Sequence, residues 1–178
     1  MSVAPAVSWL PGHGLRPEGW DPGATSSEGW TEAELVRDVA AAAWRACERR
    51  HVATEIVSAG SYHDRGADAE AGTGARLVVQ VHADAGGGGR DGAQVFYWPG
   101  NQEGQQAAQR LAQALQGVVP WPVVVRAADT SWRGARACLA AVGPTSVLVE
   151  VGFVDGAQGQ HQLPRLVEAI GQALGGAV

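Results

Sequence analysis

Lysine is absent from this 178-residue chain, and all 13 basic residues are arginine. That is a trait of GC-rich coding and decides nothing about chemistry. Cysteine is almost absent as well. Cys47 and Cys138 lie far apart and make no metal-ligand pattern. Cys47 falls on an apolar helix face, so both are read as reduced, core-like residues. No apolar run approaches the ~20 residues needed to span a bilayer, so membrane insertion is not expected. Met1 to Trp9 has neither a basic segment nor a long apolar one, so no signal peptide is expected and synthesis is placed in the cytoplasm. Basic blocks are lacking too, and the net charge is −5. That charge balance argues against nucleic acid as the main partner. Charged residues make up only 17% against 46% hydrophobic residues, which excludes a disordered chain. The length suits one domain with a buried core, and there is no internal repeat.

What is present is organised around Leu77 to Ala85, L-V-V-Q-V-H-A-D-A. A short β-branched run closed by Gly86 to Gly89 reads as a strand buried on both faces. Further strands are predicted at Val7–Leu10, Val52–Ser58, Gln94–Trp98, Pro122–Arg126 (at an edge, because of its prolines) and Ser146–Val151. Helices are predicted from Thr31 to about Arg50, from Gly104 to Gln116, and at the C-terminus through Leu163, Leu166, Val167, Ile170 and Leu174. Leu15–Gly29 reads as a long loop, and Ser61–Gly74 as a loop with a short helix. Ala127–Val142 reads as a polar linker with a short helix around Arg136–Ala141. This pattern implies an α/β fold: a single domain with a twisted, mostly parallel central sheet and helices on both faces.

Four residues stand out against that frame. His82 ends the central strand, at the sheet edge where reacting groups collect in α/β folds. His13 follows the first strand between two glycines, which lets a partner approach; a loop histidine without a role is the other reading. Glu32 opens the first helix. Thr31 and Glu34 already form a capping box, so Glu32 either favours the helix dipole or is free to act as a ligand. Glu150 sits inside the apolar run S-V-L-V-E-V, where a charge is costly unless paired or catalytic. His63 is a competing candidate ligand in a polar loop. Two histidines and a carboxylate suit Zn²⁺ with a fourth position left for water, and a second carboxylate beside that water suits metal-assisted hydrolysis.

In order, P-G-H-G, D-P-G-A, G-W-T-E-A-E-L, V-Q-V-H-A-D-A and V-L-V-E-V-G-F resemble the zinc-dependent N-acetylmuramoyl-L-alanine amidases of the amidase-3 family. The resemblance runs from about Val7 to Leu174. It implies that His13, Glu32 and His82 bind Zn²⁺ and that Glu150 is the catalytic carboxylate. The implied partner is peptidoglycan, cut between the lactyl group of muramic acid and L-alanine. The T-E-A phrase favours Glu32 over its neighbours Glu28 and Glu34. The family often has asparagine where this chain has Asp84 and near Asp155. An amidase domain without signal, anchor or wall-binding repeat resembles a phage endolysin. The expectation is one catalytic domain over residues 1–178, without a separate wall-binding domain, monomeric, acting on the cell wall in phage-type lysis. The alternatives are a bacterial wall-remodelling amidase and a non-catalytic peptidoglycan-binding module of the same fold. Trp20 and Trp30 either pack their loop onto the domain, the favoured reading, or stack on substrate, and Trp132 is left open in the same way, whereas Arg65 and Arg136 are left outside the site.

Overall fold

The structure is a computed structural model that describes residues 5–17, 19–57, 75–86, 90–128, 138–139, 145–157 and 159–178. Six strands form the main sheet: β1 (Val7–Pro11), β4 (Thr54–Ile56), β5 (Leu77–Asp84), β6 (Ala93–Tyr97), β7 (Val123–Ala127) and β8 (Ser146–Phe153). Their order is β4-β1-β5-β8-β6-β7. Neighbours run parallel except at β8 and β6, which are antiparallel. The expected edge strand β7 does lie at an edge. His63, Arg65, Trp132, Arg136 and the short helix expected within Ser61–Gly74 lie outside the described residues; of the short helix expected around Arg136–Ala141, Cys138 and Leu139 are described and are helical.

Period-two alternation sorts the strand side chains onto two faces. Trp9, Val79, Val81, Val95, Val147, Val149 and Val151 belong to the larger core, under three helices. These are α1 (Glu32–Arg49), α2 (Gln102–Gln116) and α3 (Gly159–Ala177). On the other face, Phe96 and Leu148 meet Leu139, which with Cys138 is helical. Leu10 and Val78 form a further small cluster. His82 and Glu150 follow the same alternation onto this second face.

The first helix begins as its sequence demands. Thr31 Oγ1 accepts the Glu34 N–H at 3.3 Å, and Glu34 Oε2 accepts the Thr31 N–H at 3.0 Å, completing the capping box. Leu35, Val36, Val39, Ala43 and Cys47 are all buried. Neither cysteine is in a disulfide, and Cys47 Sγ donates to the Gly175 carbonyl at 3.6 Å.

Small residues let α1 and α3 come close. A Cβ on Gly175 would lie 2.3 Å from the Ala43 carbonyl oxygen. Replacing a helical glycine with alanine normally gains ~1 kcal/mol, whereas overpacking against a backbone costs ~1–3 kcal/mol. The second effect wins because the obstacle is main chain. Gly175→Ala is expected to destabilise by ~1 kcal/mol, read as a lower midpoint in thermal unfolding; a higher midpoint would contradict the close approach.

Several boundaries differ from the sequence reading. The segment read as a loop from Leu15 holds a small antiparallel hairpin, β2 (Gly14–Arg16) paired with β3 (Gly19–Asp21). Three-residue strands bounded by glycine carry no readable alternation. The strand expected over residues 52–58 covers only Thr54–Ile56. The helix expected from Gly104 begins at Gln102, because Asn101 caps it by accepting the Gly104 N–H at 2.9 Å.

Candidate metal centre and active site

The C-terminal ends of β1 and β5 and the first turn of α1 converge on one spot. His13 follows β1, His82 lies near the end of β5, and Glu32 opens α1. His13 Nε2 lies 3.2 Å from Glu32 Oε2, and His82 Nδ1 lies 3.2 Å from Glu32 Oε1. One ligand atom from each residue falls within 4.8 Å of the others. Glu32 is held from both sides, because Oε2 accepts the Ala24 N–H at 3.1 Å and Oε1 the Ala83 N–H at 3.0 Å. Its neighbours are engaged elsewhere: Glu34 in the capping box, and Glu28 with His161 on the surface at 2.6 Å.

The backbone around the trio leaves no spare room. A Cβ on Gly12 would fall 2.3 Å from the His82 ring. Gly23 has φ +64°, and a Cβ there would meet both the His13 ring and Glu32 Oε2 at 2.7 Å. The donor set also suits a metal. Three protein ligands of the His/Glu type with an open fourth position are what catalytic zinc sites use. The residues present therefore fit Zn²⁺.

Behind His13 stands a residue that the sequence reading passed over. Asp21, at the end of β3, accepts a hydrogen bond from His13 Nδ1 at 2.7 Å. It is itself fixed by the Gly23 N–H at 3.0 Å and by Arg16. With Nδ1 engaged, Nε2 is the His13 atom turned toward Glu32 and His82. The signal was the D-P-G turn, which brings Asp21 back beside His13, but no local spacing marks such a pairing. A carboxylate behind a ligating histidine fixes its tautomer and typically supports metal affinity by about 10- to 100-fold. Asp21→Asn is accordingly expected to weaken zinc binding by on the order of 10- to 100-fold in competition with a chelator. Unchanged affinity would leave Asp21 a hairpin residue only.

Charge in the cluster is shared through protons. Burial opposes ionisation of Glu32, but hydrogen bonds and charge from His13 and His82 outweigh it and hold the carboxyl far below the usual range. Burial likewise works against a charged His13, while Glu32 and Asp21 pull its pKa up. Metal binding would displace these protons.

Glu150 lies one strand away. It pairs in register with His82 across β5 and β8, so the two side chains emerge side by side on one face. The strand continues three residues past Glu150 to Phe153, beyond the end at Val151 read from the sequence. Among the described residues, Glu150 Oε2 is buried with no hydrogen-bond partner. Burial, then the charges of Glu32 and Asp84, raise its pKa well above the ordinary carboxylate value. Asp84 is raised chiefly by burial. A carboxyl whose pKa is raised, beside a cluster that could hold a metal ion, is suited to proton transfer.

The candidate tryptophans divide. Trp30 packs against the core. Trp20 stands 55% exposed on the hairpin opposite Leu15.

Comparison with known proteins bears on this arrangement. Residues 9–169 match the family described as Amidase_3, N-acetylmuramoyl-L-alanine amidase. Curated protein sequences return no match. Among solved structures, the chain is similar to the N-acetylmuramoyl-L-alanine amidase AmiC2 of Nostoc punctiforme, with TM-score 0.76 and 17% identity over 96% of this chain and 93% of that one. It is also similar to the CwlD amidase of Clostridioides difficile, solved with the GerS lipoprotein, with TM-score 0.77 and 18% identity over 96% and 94%. A third is the catalytic domain of the CD27L endolysin targeting Clostridia difficile, with TM-score 0.75 and 17% identity over 96% and 95%. At these identities the likeness is one of fold.

Proposed function

Because the chain belongs to the Amidase_3 family of N-acetylmuramoyl-L-alanine amidases, we propose that it is a zinc-dependent hydrolase of the lactyl–L-alanine amide of peptidoglycan. His13, Glu32 and His82 hold the metal and Glu150 moves the proton. The observation that carries this reading is Glu150, its Oε2 buried without a hydrogen-bond partner among the described residues, in register beside a His–Glu–His cluster. Zn²⁺ held there supplies Lewis-acid polarisation of the scissile carbonyl and of water. Glu150 takes a proton from the attacking water as the oxygen adds to the carbonyl carbon. It then delivers that proton to the departing amine nitrogen of L-alanine. Asp21 keeps the His13 ring in one tautomer, His13 and His82 keep Glu32 ionised, and the two backbone N–H donors keep it aimed.

Mass spectrometry of purified peptidoglycan after digestion tests the proposal. Intact stem peptides with a free L-alanine amine are expected, lost on chelation and restored by zinc. Cut glycan strands or opened cross-links would mean that another bond is the target. Release that survives chelation would overturn zinc dependence.

The biological setting proposed is phage-type lysis by a monomeric, single catalytic domain acting on the wall. Loss of turbidity of isolated host walls on addition of the chain checks it.

A further inference from the structure

The sheet places the parts of the site in a fixed lateral order, and that order assigns a direction to the substrate. From β1 toward β7 come His13 after β1, His82 on β5, Glu150 on β8, Gln94 on β6 and Val124 on β7. His82, Glu150, Gln94 and Val124 are consecutive register partners. Directly opposed residues share a face, so these four side chains form one row across the sheet. The metal ligands occupy one end of the row. The other end opens into a cleft of about 740 Å³ that includes Asp84, Arg90, Gln94, Val124, Arg126 and Phe153 in its lining.

We infer that this cleft over β6 and β7 is the subsite for the peptide half of the substrate, and that Arg90 and Arg126 recognise carboxylates on that peptide. The inference rests on the amidase reading above and deepens it. The carbonyl under attack must lie at the metal ligands, and the departing nitrogen must lie at Glu150, which protonates it. The chain that continues from that nitrogen is the stem peptide. It is therefore directed away from the metal, past Glu150, onto β6 and β7. The glycan side is left to the opposite flank, near β1 and the hairpin.

Distances agree with this direction. Neighbouring strands lie ~4.8 Å apart, so β7 is ~10 Å from Glu150. Successive Cα atoms are ~3.8 Å apart, so the second and third peptide residues reach the level of β7. The cleft lining holds two arginines, Arg90 and Arg126, beside Asp84 and Asp91. Arg90 and Arg126 are exposed in a chain of net charge −5. The arginine ion pairs among the described residues are Arg16–Asp21, Arg37–Asp38 and Arg45–Glu168, and neither Arg90 nor Arg126 is in one. A planar guanidinium pairs two-pronged with a carboxylate, which a neutral carboxamide cannot reproduce. Val124, 42% exposed, adds an apolar contact to the same lining.

The test compares two soluble muramyl peptides that differ at one group. One carries a free α-carboxylate on the second residue of the peptide, and the other a carboxamide there. Arg126→Ala and Arg90→Ala are expected to raise KM for the carboxylate compound about tenfold each, with kcat little changed, and to change the carboxamide compound at most twofold. Both side chains are exposed, so the fold should not suffer. Arg45→Ala, on the far side of the molecule, is the charge-matched control and should alter neither substrate. Equal losses on both compounds, or no loss on either, would overturn the subsite. Titration calorimetry with the two free product peptides decides the point without turnover. The carboxylate peptide should bind the unmodified chain more tightly, and that preference should vanish in the Arg126→Ala, Arg90→Ala double variant. If the unmodified chain cleaves neither compound, the amidase reading fails. The calorimetry still supports the subsite if the preference is present, and overturns it if both peptides bind alike.

Discussion

Glu150→Gln is expected to lower kcat by on the order of 10² to 10⁴, the usual size of a general acid–base contribution, and to leave one zinc bound per chain. Glutamine keeps the shape of the side chain but can neither take the water proton nor return it to the amine. The same substitution should stabilise the zinc-free protein. The folded-state pKa of Glu150 is raised above its ordinary value by burial and by Glu32 and Asp84. A carboxyl raised in this way contributes fully to stability at pH below its unfolded value, near 4.5. That contribution is lost as pH climbs through the folded value. At neutral pH the native chain must hold a proton there or bury a charge, and glutamine does neither. A gain of ~1 kcal/mol, or about 2–4 °C in Tm for a domain of this size, is expected at pH 7.5 and should shrink toward pH 4. A variant that is inactive, zinc-free and less stable would mean that Glu150 is a structural or ligating residue instead.

Glu32→Ala is expected to abolish both zinc binding and activity. Glu32 lies between two histidines and also accepts two main-chain N–H groups, from Ala24 and Ala83. Removing the carboxylate leaves those donors facing an apolar methyl, at ~1–3 kcal/mol for each unsatisfied group. A loss of about 2–4 kcal/mol in unfolding free energy should accompany the loss of metal. Denaturant unfolding and a zinc assay read the two effects separately. Retained stoichiometric zinc would remove Glu32 from the ligand set. Full stability with lost zinc would mean that the two N–H groups find other acceptors.

The order of elements along the chain was readable because period-two and helical patterns survive wherever a face is buried. L-V-V-Q-V-H-A-D-A and S-V-L-V-E-V announced the two central strands. The Thr31 capping box set the start of α1 and, with it, the place of Glu32. The lateral neighbours were not readable. That His82 stands beside Glu150 follows from β5 and β8 lying next to each other, although more than 60 residues separate them in the chain. The hairpin β2–β3 escaped notice because its strands are too short to show alternation. With it went Asp21, whose role depends on folding back onto His13. The family resemblance supplied a ligand set that spacing could not, since the three candidate ligands share no local motif. The cleft over β6 and β7 was invisible for the same reason. Arg90 and Arg126 look like ordinary surface arginines until the strand order puts them on one rim.

The reversal of direction between β8 and β6 has a consequence for how such a protein can change. Because β6 and β7 run against β5 and β8, their starts lie on the rim where β5 and β8 end. The proposed metal ligands therefore hang on strand exits and a helix start, while the cleft is walled largely by strand entrances, around 90–93 and 122–124. The two sets of connections meet at one place but belong to different stretches of chain. If the cleft takes the peptide as proposed, mutation of the entrances would alter which peptides are accepted while the proposed ligands stay on other stretches of chain. Selectivity and chemistry are then separately adjustable traits of a single sheet.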